Sequence, residues 1–205
     1  MGTGYVPQWY DEFEDHLDGM LAVLRPEWHL PEQPPAHAFN RPESMSRWRT
    51  NAKRSALGSH VREHPAQARA HLPGLLDAVV HDLNASFNEF LILPIIAAVG
   101  HRPVHEGIIE RLARGTFIEQ LGAVAAWYTA QPGLHYRSAD DLRRGEPAQD
   151  SVRPYTEWLD VLPRYQEACR SAVERCDDPE RRAYLSRRVA ASCNGGVSIG
   201  TPPQE

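Results

Sequence analysis

Two consecutive blocks of thirty residues match each other in the middle of the chain, and this internal repeat restricts the possible folds more than any other feature. The blocks are HLPGLLDAVVHDLNASFNEFLILPIIAAVG, residues 71–100, and HRPVHEGIIERLARGTFIEQLGAVAAWYTA, residues 101–130. Identical residues stand thirty positions apart at His71 and His101, Pro73 and Pro103, Phe87 and Phe117, Glu89 and Glu119, and Leu91 and Leu121. About two identities are expected by chance between two blocks of this length. The positions of the five observed identities are therefore more informative than their number.

Each block has the start signals of two helices. Pro73 and Pro103 stand where a first helix begins, a position that tolerates the fixed φ and missing N–H of proline. The second helix of each block has the spacing of a capping box, Ser86 to Glu89 in one and Thr116 to Glu119 in the other. Each block is therefore predicted to form a helix, a tight turn and a second helix, and the chain is predicted to be all-α.

Residues 1–70 are predicted to form a helical N-terminal cap. Apolar residues recur at helical spacing between residues 8 and 24, with an acidic outer face. A second helix is predicted from Asn40, as N-cap, to about His64, where Pro65 stops it. We expect its basic residues to face the acidic helix. The acidic residues are Asp11, Glu14, Asp15 and Asp18, and the basic residues are Arg47, Arg49, Lys53 and Arg54.

The predicted repeat region continues to residue 193. Residues 131–151 are a polar insertion rich in glycine and proline, and a third helix pair is predicted over about 152–192. Its first helix is expected to be interrupted or kinked at Pro163, and Asp177 or Asp178 is expected to cap its second. The units are thus 71–100, 101–130 and about 152–192, and residues 194–205 are predicted to be a flexible tail.

Residues 72–189 resemble the HEAT-repeat class, and in particular the short HEAT-like arrays of bacteria. The segments that carry the likeness are LLDAVVHDLNASFNEFLILPIIAAVGHRPVHEGIIERLARGT, GAVAAWYTA and AVERCDDPERRAYLSRRV. The resemblance implies a short α-solenoid, in which each helix pair stacks on the next and atypical helices cover the ends. Members of the family commonly have an arginine near the positions that Asn88 and Ile118 occupy in this chain. The row of aspartate–arginine pairs that is typical of such arrays is therefore in doubt here.

Composition excludes several classes of protein. The chain has 205 residues, a net charge of −5 and a single lysine, Lys53, and the arginine bias is typical of GC-rich bacterial genomes. An acidic total disfavours a nucleic-acid surface. No basic stretch precedes an apolar core at the N-terminus, and the run FLILPIIAAVG is too short to cross a membrane. A cytoplasmic location is therefore predicted.

Two histidine pairs are candidate metal ligands. HVREH, residues 60–64, matches the H-x-x-E-H pattern of inverted zinc peptidases, but His64 precedes a proline and no third ligand is recognisable. For His101 and His105, the intervening Pro103 predicts that the first precedes a helix and the second lies in its exposed first turn, so they do not share a face. We predict no metal and no cofactor, although the sequence leaves open whether either pair binds metal.

The sequence favours a non-enzymatic interaction or scaffold protein that presents a helical groove to a protein or peptide partner. No catalytic constellation stands in a suitable context, and second helices usually line the concave face of such arrays. The candidate binding residues are therefore Glu89, Gln120, Trp127 and Tyr128. For Trp127 and Tyr128 the alternative is that they close the core at a repeat boundary.

Two other functions stay open. The first is a helical-repeat enzyme or ligand-binding protein that holds a small molecule or modified DNA in the concavity. A DNA-binding version needs the arginines between Arg164 and Arg188 on one face, and acidic residues are interleaved among them. The second is an inhibitor or immunity-type protein that uses the acidic first helix as its contact surface.

Overall fold

A computed structural model describes residues 7–32, 42–84 and 86–194, and these residues form ten α-helices and no β-strand. The predicted all-α class is therefore confirmed. The helices are α1 (Pro7–Leu24), α2 (Pro42–Glu63), α3 (Pro65–Ala70), α4 (Leu72–His81), α5 (Glu89–Val99), α6 (His101–Arg114), α7 (Phe117–Ala130), α8 (Ala139–Arg144), α9 (Gln149–Glu174) and α10 (Pro179–Asn194). The predicted N-cap Asn40 and nearly all of the predicted tail lie outside the described residues.

Helix α7 lies at the centre of the molecule. Nine of its fourteen residues are buried. On one side, five helices form a closed ring in which each helix packs on the next. Their order is α1, α2, α5, α7 and α4, and α4 packs on α1. On the other side, α7 belongs to a second group with α6, α9 and α10. Helix α4 packs mainly on α7 and α1 and makes few contacts with α5, the next helix in sequence.

Two glycines allow helices to cross closely. A Cβ atom on Gly122 of α7 would lie 1.5 Å from the carbonyl oxygen of Val80 in α4, so only glycine fits there. A Cβ atom on Gly58 of α2 would lie 2.2 Å from the carbonyl oxygen of Phe90 in α5. Pro94 has no N–H to bond that oxygen within the helix, so α2 crosses α5 where a backbone carbonyl is free of its usual intrahelical bond.

The two predicted capping boxes have different outcomes. At α7 the prediction is confirmed, because Thr116 Oγ1 accepts a bond from the N–H of Glu119 and the Glu119 carboxylate accepts one from the N–H of Thr116. At α5 the prediction is wrong. That helix begins at Glu89 itself, after a turn in which Asp82 accepts from the N–H of Asn84 and Asn84 accepts from the N–H of Ser86.

Charged residues join α2 to its neighbours largely as predicted. Lys53 Nζ lies 2.7 Å from Glu14 and 2.6 Å from Asp18 on α1, and Arg49 also contacts Glu14. Arg54 departs from the expectation, because its guanidinium binds both carboxylate oxygens of Asp82 at 2.8 and 2.9 Å in the protein interior. Two of the four acidic residues proposed as an external contact surface are thus engaged within the molecule.

The C-terminal helix pair differs from the prediction at its start, because α9 begins at Gln149, inside the predicted insertion, and α8 lies within that insertion. The carboxylate of Asp178 accepts bonds from the N–H groups of Glu180 and Arg181, which confirms the predicted cap of α10. The predicted interruption at Pro163 is wrong, because α9 is a single helix from Gln149 to Glu174 that contains both Pro154 and Pro163. No helix in the described ranges is long and apolar enough to cross a membrane.

Candidate functional site

The four residues predicted to bind a partner divide into two groups. Gln120 and Trp127 are buried in α7, and the Trp127 side chain has no exposed surface. Glu89 and Tyr128 are exposed, Tyr128 to 59%. The structure therefore places Trp127 in the core, as the alternative interpretation had it, and leaves Glu89 and Tyr128 on the surface.

A partly buried hydrogen bond brings the chain neighbours of the two exposed residues together. Thr129 Oγ1 donates to the side-chain oxygen of Asn88 at 2.7 Å, and these two residues are the chain neighbours of Tyr128 and Glu89. The N-terminus of α5 thus lies against the C-terminal turn of α7. Asn88 is fully buried, and its amide nitrogen has no partner in the described structure.

Sequence reasoning missed two further residues of this region. Phe90 and Leu93 of α5 are large and apolar, yet they are 48% and 50% exposed. Together with exposed Ala97 they follow the spacing of one helical face. We call the exposed residues Glu89, Phe90, Leu93, Ala97 and Tyr128 the α5–α7 surface. Helical periodicity does not identify this face, because α5 is apolar on nearly every side.

The expected geometry of His101 and His105 is wrong. Helix α6 begins at His101, because Gly100 with φ of 89° turns the chain out of α5 one residue earlier. Both imidazoles reach the carbonyl oxygen of Ala130, His101 Nδ1 at 3.3 Å and His105 Nε2 at 2.9 Å. They therefore share a face of α6, and His105, expected on the surface, is fully buried.

His105 begins a row of packed aromatic rings that crosses the second helix group. Its ring centroid lies 4.9 Å from that of Trp127, which stacks on Tyr165 of α9 at 3.9 Å. The Tyr165 hydroxyl lies 2.8 Å from Ser192 Oγ of α10. Burial lowers the pKa of His105 to about 4, against a smaller opposing effect of the Ala130 carbonyl. His105 is thus a neutral core residue at physiological pH.

Three polar atoms in or near this row are buried without a partner in the described part of the chain: His105 Nδ1, Trp127 Nε1 and Trp158 Nε1. Since a carbonyl only accepts, His105 Nε2 carries the proton and Nδ1 is the unprotonated nitrogen. Each unpaired buried group costs about 1–3 kcal/mol of stability. Tight ring packing offsets this cost.

The second histidine pair closes the junction of α2 and α3. The rings of His60 and His64 stack with centroids 4.2 Å apart, and His60 Nε2 lies 2.9 Å from the side-chain oxygen of Gln67. Glu63, the residue in the position of a catalytic base, is exposed. Nowhere in the described ranges do three or more His, Cys, Asp or Glu side chains form a group that could hold a metal ion.

A groove of about 570 Å³ lies between α4 and α6. Leu76, Gly107 and Ile109 are among its apolar lining residues, and Arg111 spans it by contacting Asp77 and the carbonyl oxygen of Pro73. The charges at its edge are paired with one another: Glu106 with Arg102 and Arg164, and Glu110 with Arg114. This groove lies on the first helices of the two blocks, away from the predicted binding residues.

No protein family, curated protein or solved structure matches this chain. Its function must therefore be inferred from its own residues. The α5–α7 surface offers apolar contact area with one carboxylate and one phenol hydroxyl. Such a surface is suited to binding another macromolecule, and it offers no nucleophile activated by a base.

Proposed function

We propose that this protein is a non-enzymatic interaction protein that holds a protein or peptide partner on the α5–α7 surface. The observation that carries the proposal is the exposure of Phe90, Leu93 and Tyr128 on two adjacent helices. Large apolar side chains exposed on neighbouring helices are typical of interaction sites, since water is released when a partner covers them. Glu89 and Tyr128 were predicted as binding residues from the sequence alone.

Contacts beneath the α5–α7 surface support the proposal that it is a rigid binding face. Asn88 is bonded to Thr129, and α2 crosses α5 closely at Gly58. A backbone that is already rigid loses little further entropy on binding, so only the exposed side chains are ordered at that step. The alternative of an enzyme has less support, because the histidines of α6 turn toward a core carbonyl and the groove charges are paired with one another.

We also propose that α4–α5 and α6–α7 are two copies of one HEAT-like unit. Both are helix–turn–helix segments with a proline in the first turn, although α4 packs mainly on α7 and α1 whereas α6 packs extensively on α7. Asp82 in the turn of the first pair binds an arginine, which comes from α2. An experimental structure tests this proposal. Superposition of the two pairs with their turns in register would support it, and different crossing angles would overturn it.

Site-specific photo-crosslinking tests the proposed binding surface. A benzophenone side chain at Tyr128 or at Phe90 is expected to give one discrete adduct in cells that express the full chain. The matched control is the same group at Leu159, which is 45% exposed on α9. Equal labelling at all three positions, or no adduct at Tyr128 and Phe90, would remove the proposal.

A further inference from the structure

We propose that an exposed face of α10 binds an acidic helix of a partner protein. The contact residues are Tyr184, Arg187, Arg188 and Ala191, which we call the α10 patch. The inference does not depend on the proposed function, because it uses a different helix from those of the α5–α7 surface. Charge complementarity carries it, since the α10 patch holds two arginines that pair with no carboxylate in the described part of the chain.

Helix α10 is attached to the molecule along a narrow strip. Leu185 and Ser192 are its buried side chains among those described, and Val189 between them is half-buried. These three residues are spaced by four and three positions, so they lie on one face of the helix. The Ser192 hydroxyl bonds to Tyr165 of α9. The other faces of α10 are exposed and can receive a partner.

The α10 patch is a compact group on one of these exposed faces. Tyr184 stands three and four residues before the two arginines, and Ala191 stands four and three residues after them. Side chains at this spacing are neighbours on a helix surface. The Arg187 guanidinium lies over the Tyr184 ring, 5.8 Å from its centroid, and Tyr184 is 41% exposed. Tyrosine and arginine are enriched at protein interfaces and among the residues that contribute most to binding.

The charge of α10 differs from that of the chain as a whole. The chain has a net charge of −5, whereas α10 contains four arginines and a single acidic residue, Glu180. On α8 and α9, exposed arginines pair with carboxylates of their own helix, in the pairs Arg143–Asp140, Arg144–Asp141, Arg153–Glu157 and Arg170–Glu167. Arg187 and Arg188 have no such pair. Neither lies in the last turn of α10, where the helix dipole favours a cation.

An acidic protein helix fits the α10 patch better than a nucleic acid does. A guanidinium group binds a carboxylate through two parallel N–H bonds, so two carboxylates on one face of a helix can engage the two arginines. An apolar side chain beside them can contact the tyrosine ring. A phosphate backbone carries its negative charge along its whole length. It would meet the exposed carboxylates of Asp178 and Glu180 at the start of α10, which repel it.

Fluorescence anisotropy with a labelled probe peptide tests the inference on the full chain. The probe is a helical peptide of about twenty residues in which two glutamates one turn apart stand beside a leucine. The matched control peptide has glutamine in place of both glutamates. We expect the glutamate peptide to bind about fivefold more tightly, because two exposed ion pairs distinguish the peptides. Its affinity should fall as salt is added.

Two double variants of the protein locate the contact. Arg187→Gln with Arg188→Gln is expected to abolish the preference for the glutamate peptide. The matched control is Arg143→Gln with Arg144→Gln, which changes the net charge equally but removes arginines that are already paired within α8. The control should keep the preference. Because all four arginines are exposed, circular dichroism is expected to show that both variants are folded.

Equal binding of the two peptides to the unmodified chain would overturn the inference without any change to the protein. Loss of the preference in both double variants would also overturn it, since net charge alone would then explain the binding. Tighter binding of a labelled DNA duplex than of the glutamate peptide would replace the acidic helix with a nucleic acid. None of these results alters the crosslinking expected at Tyr128 and Phe90, so the proposed function is tested separately.

Discussion

His105 combines complete burial with a hydrogen bond to one carbonyl, and this fixes how its charge responds to pH. Its folded-state pKa lies near 4, below the ordinary value of 6.5, because burial disfavours the imidazolium. Above pH 6.5 the ring is neutral in both the folded and the unfolded chain. Between pH 6.5 and 4 the unfolded chain binds the proton and the folded chain does not, so the protein loses stability as the pH falls.

We expect His105 to lower the free energy of unfolding by up to about 3 kcal/mol between pH 6.5 and 4. Urea denaturation at several pH values measures this loss. In His105→Phe the free energy of unfolding should depend less steeply on pH over this interval. A smaller pH dependence should remain because of His16 and His101, whose pKa values burial also lowers. An unchanged slope in the variant would contradict the assignment.

The Arg54–Asp82 pair is a second case in which one side chain decides stability. Burial raises the pKa of the Asp82 carboxyl and the nearby guanidinium opposes this effect. Arg54→Met leaves the buried carboxylate without its charged partner and should cost about 3–5 kcal/mol. The double variant Arg54→Met with Asp82→Leu should recover much of that loss. Urea denaturation of all three variants measures the coupling, and additive losses would argue against a buried ion pair.

At the scale of the elements, helix ends and helix crossings obey different rules. The ends of α2, α7 and α10 follow from local signals, namely Pro65, the Thr116–Glu119 capping box and Asp178. The crossing of α4 and α7 depends on Gly122 and on Val80, which is far away in sequence. Glycine within a helix is normally unfavourable, so its presence in α7 is explained only by that crossing.

Gly122→Ala is therefore expected to destabilise the protein by several kcal/mol or to prevent folding, because the new Cβ would overlap the Val80 carbonyl. The matched control is Gly19→Ala, an exposed helical position with nothing within 4 Å of the new Cβ. That substitution should stabilise α1 by about 0.5–1 kcal/mol. Thermal denaturation compares the two variants. Similar melting temperatures would contradict the close crossing.

The capping residues give a second prediction for the elements. Thr116→Ala removes the bond to the Glu119 N–H and should cost about 1 kcal/mol. Ser86→Ala should have almost no effect, although the sequence spacing around Ser86 is the same, because α5 begins three residues later. Equal losses in chemical denaturation would restore the original interpretation of Ser86 as a cap.

At the scale of the whole molecule, α7 connects the two groups of helices. Its residues pack on α4 and α5 in the ring and on α6 and α10 in the second group. Trp127 has no exposed surface and stacks on Tyr165 of α9. Because one helix supplies the core of both groups, neither group can lose its packing while the other keeps it.

We therefore expect unfolding in one cooperative transition. Far-UV circular dichroism, which reports helix content, and Trp fluorescence, which reports the core, should give the same urea midpoint. Two separate midpoints would show that the ring and the second group unfold independently, as expected for units that contact only their sequence neighbours.

The sequence by itself determined the all-α class, several helix boundaries and the cap of α7, because proline, capping residues and helical periodicity act over a few residues. It also named Glu89 and Tyr128, which are exposed. Only the tertiary structure decided that Trp127, Gln120 and His105 are buried and that Phe90 and Leu93 are not. Periodicity gives no direction to helices as apolar as α5 and α7, so the neighbouring helices determine which face water reaches.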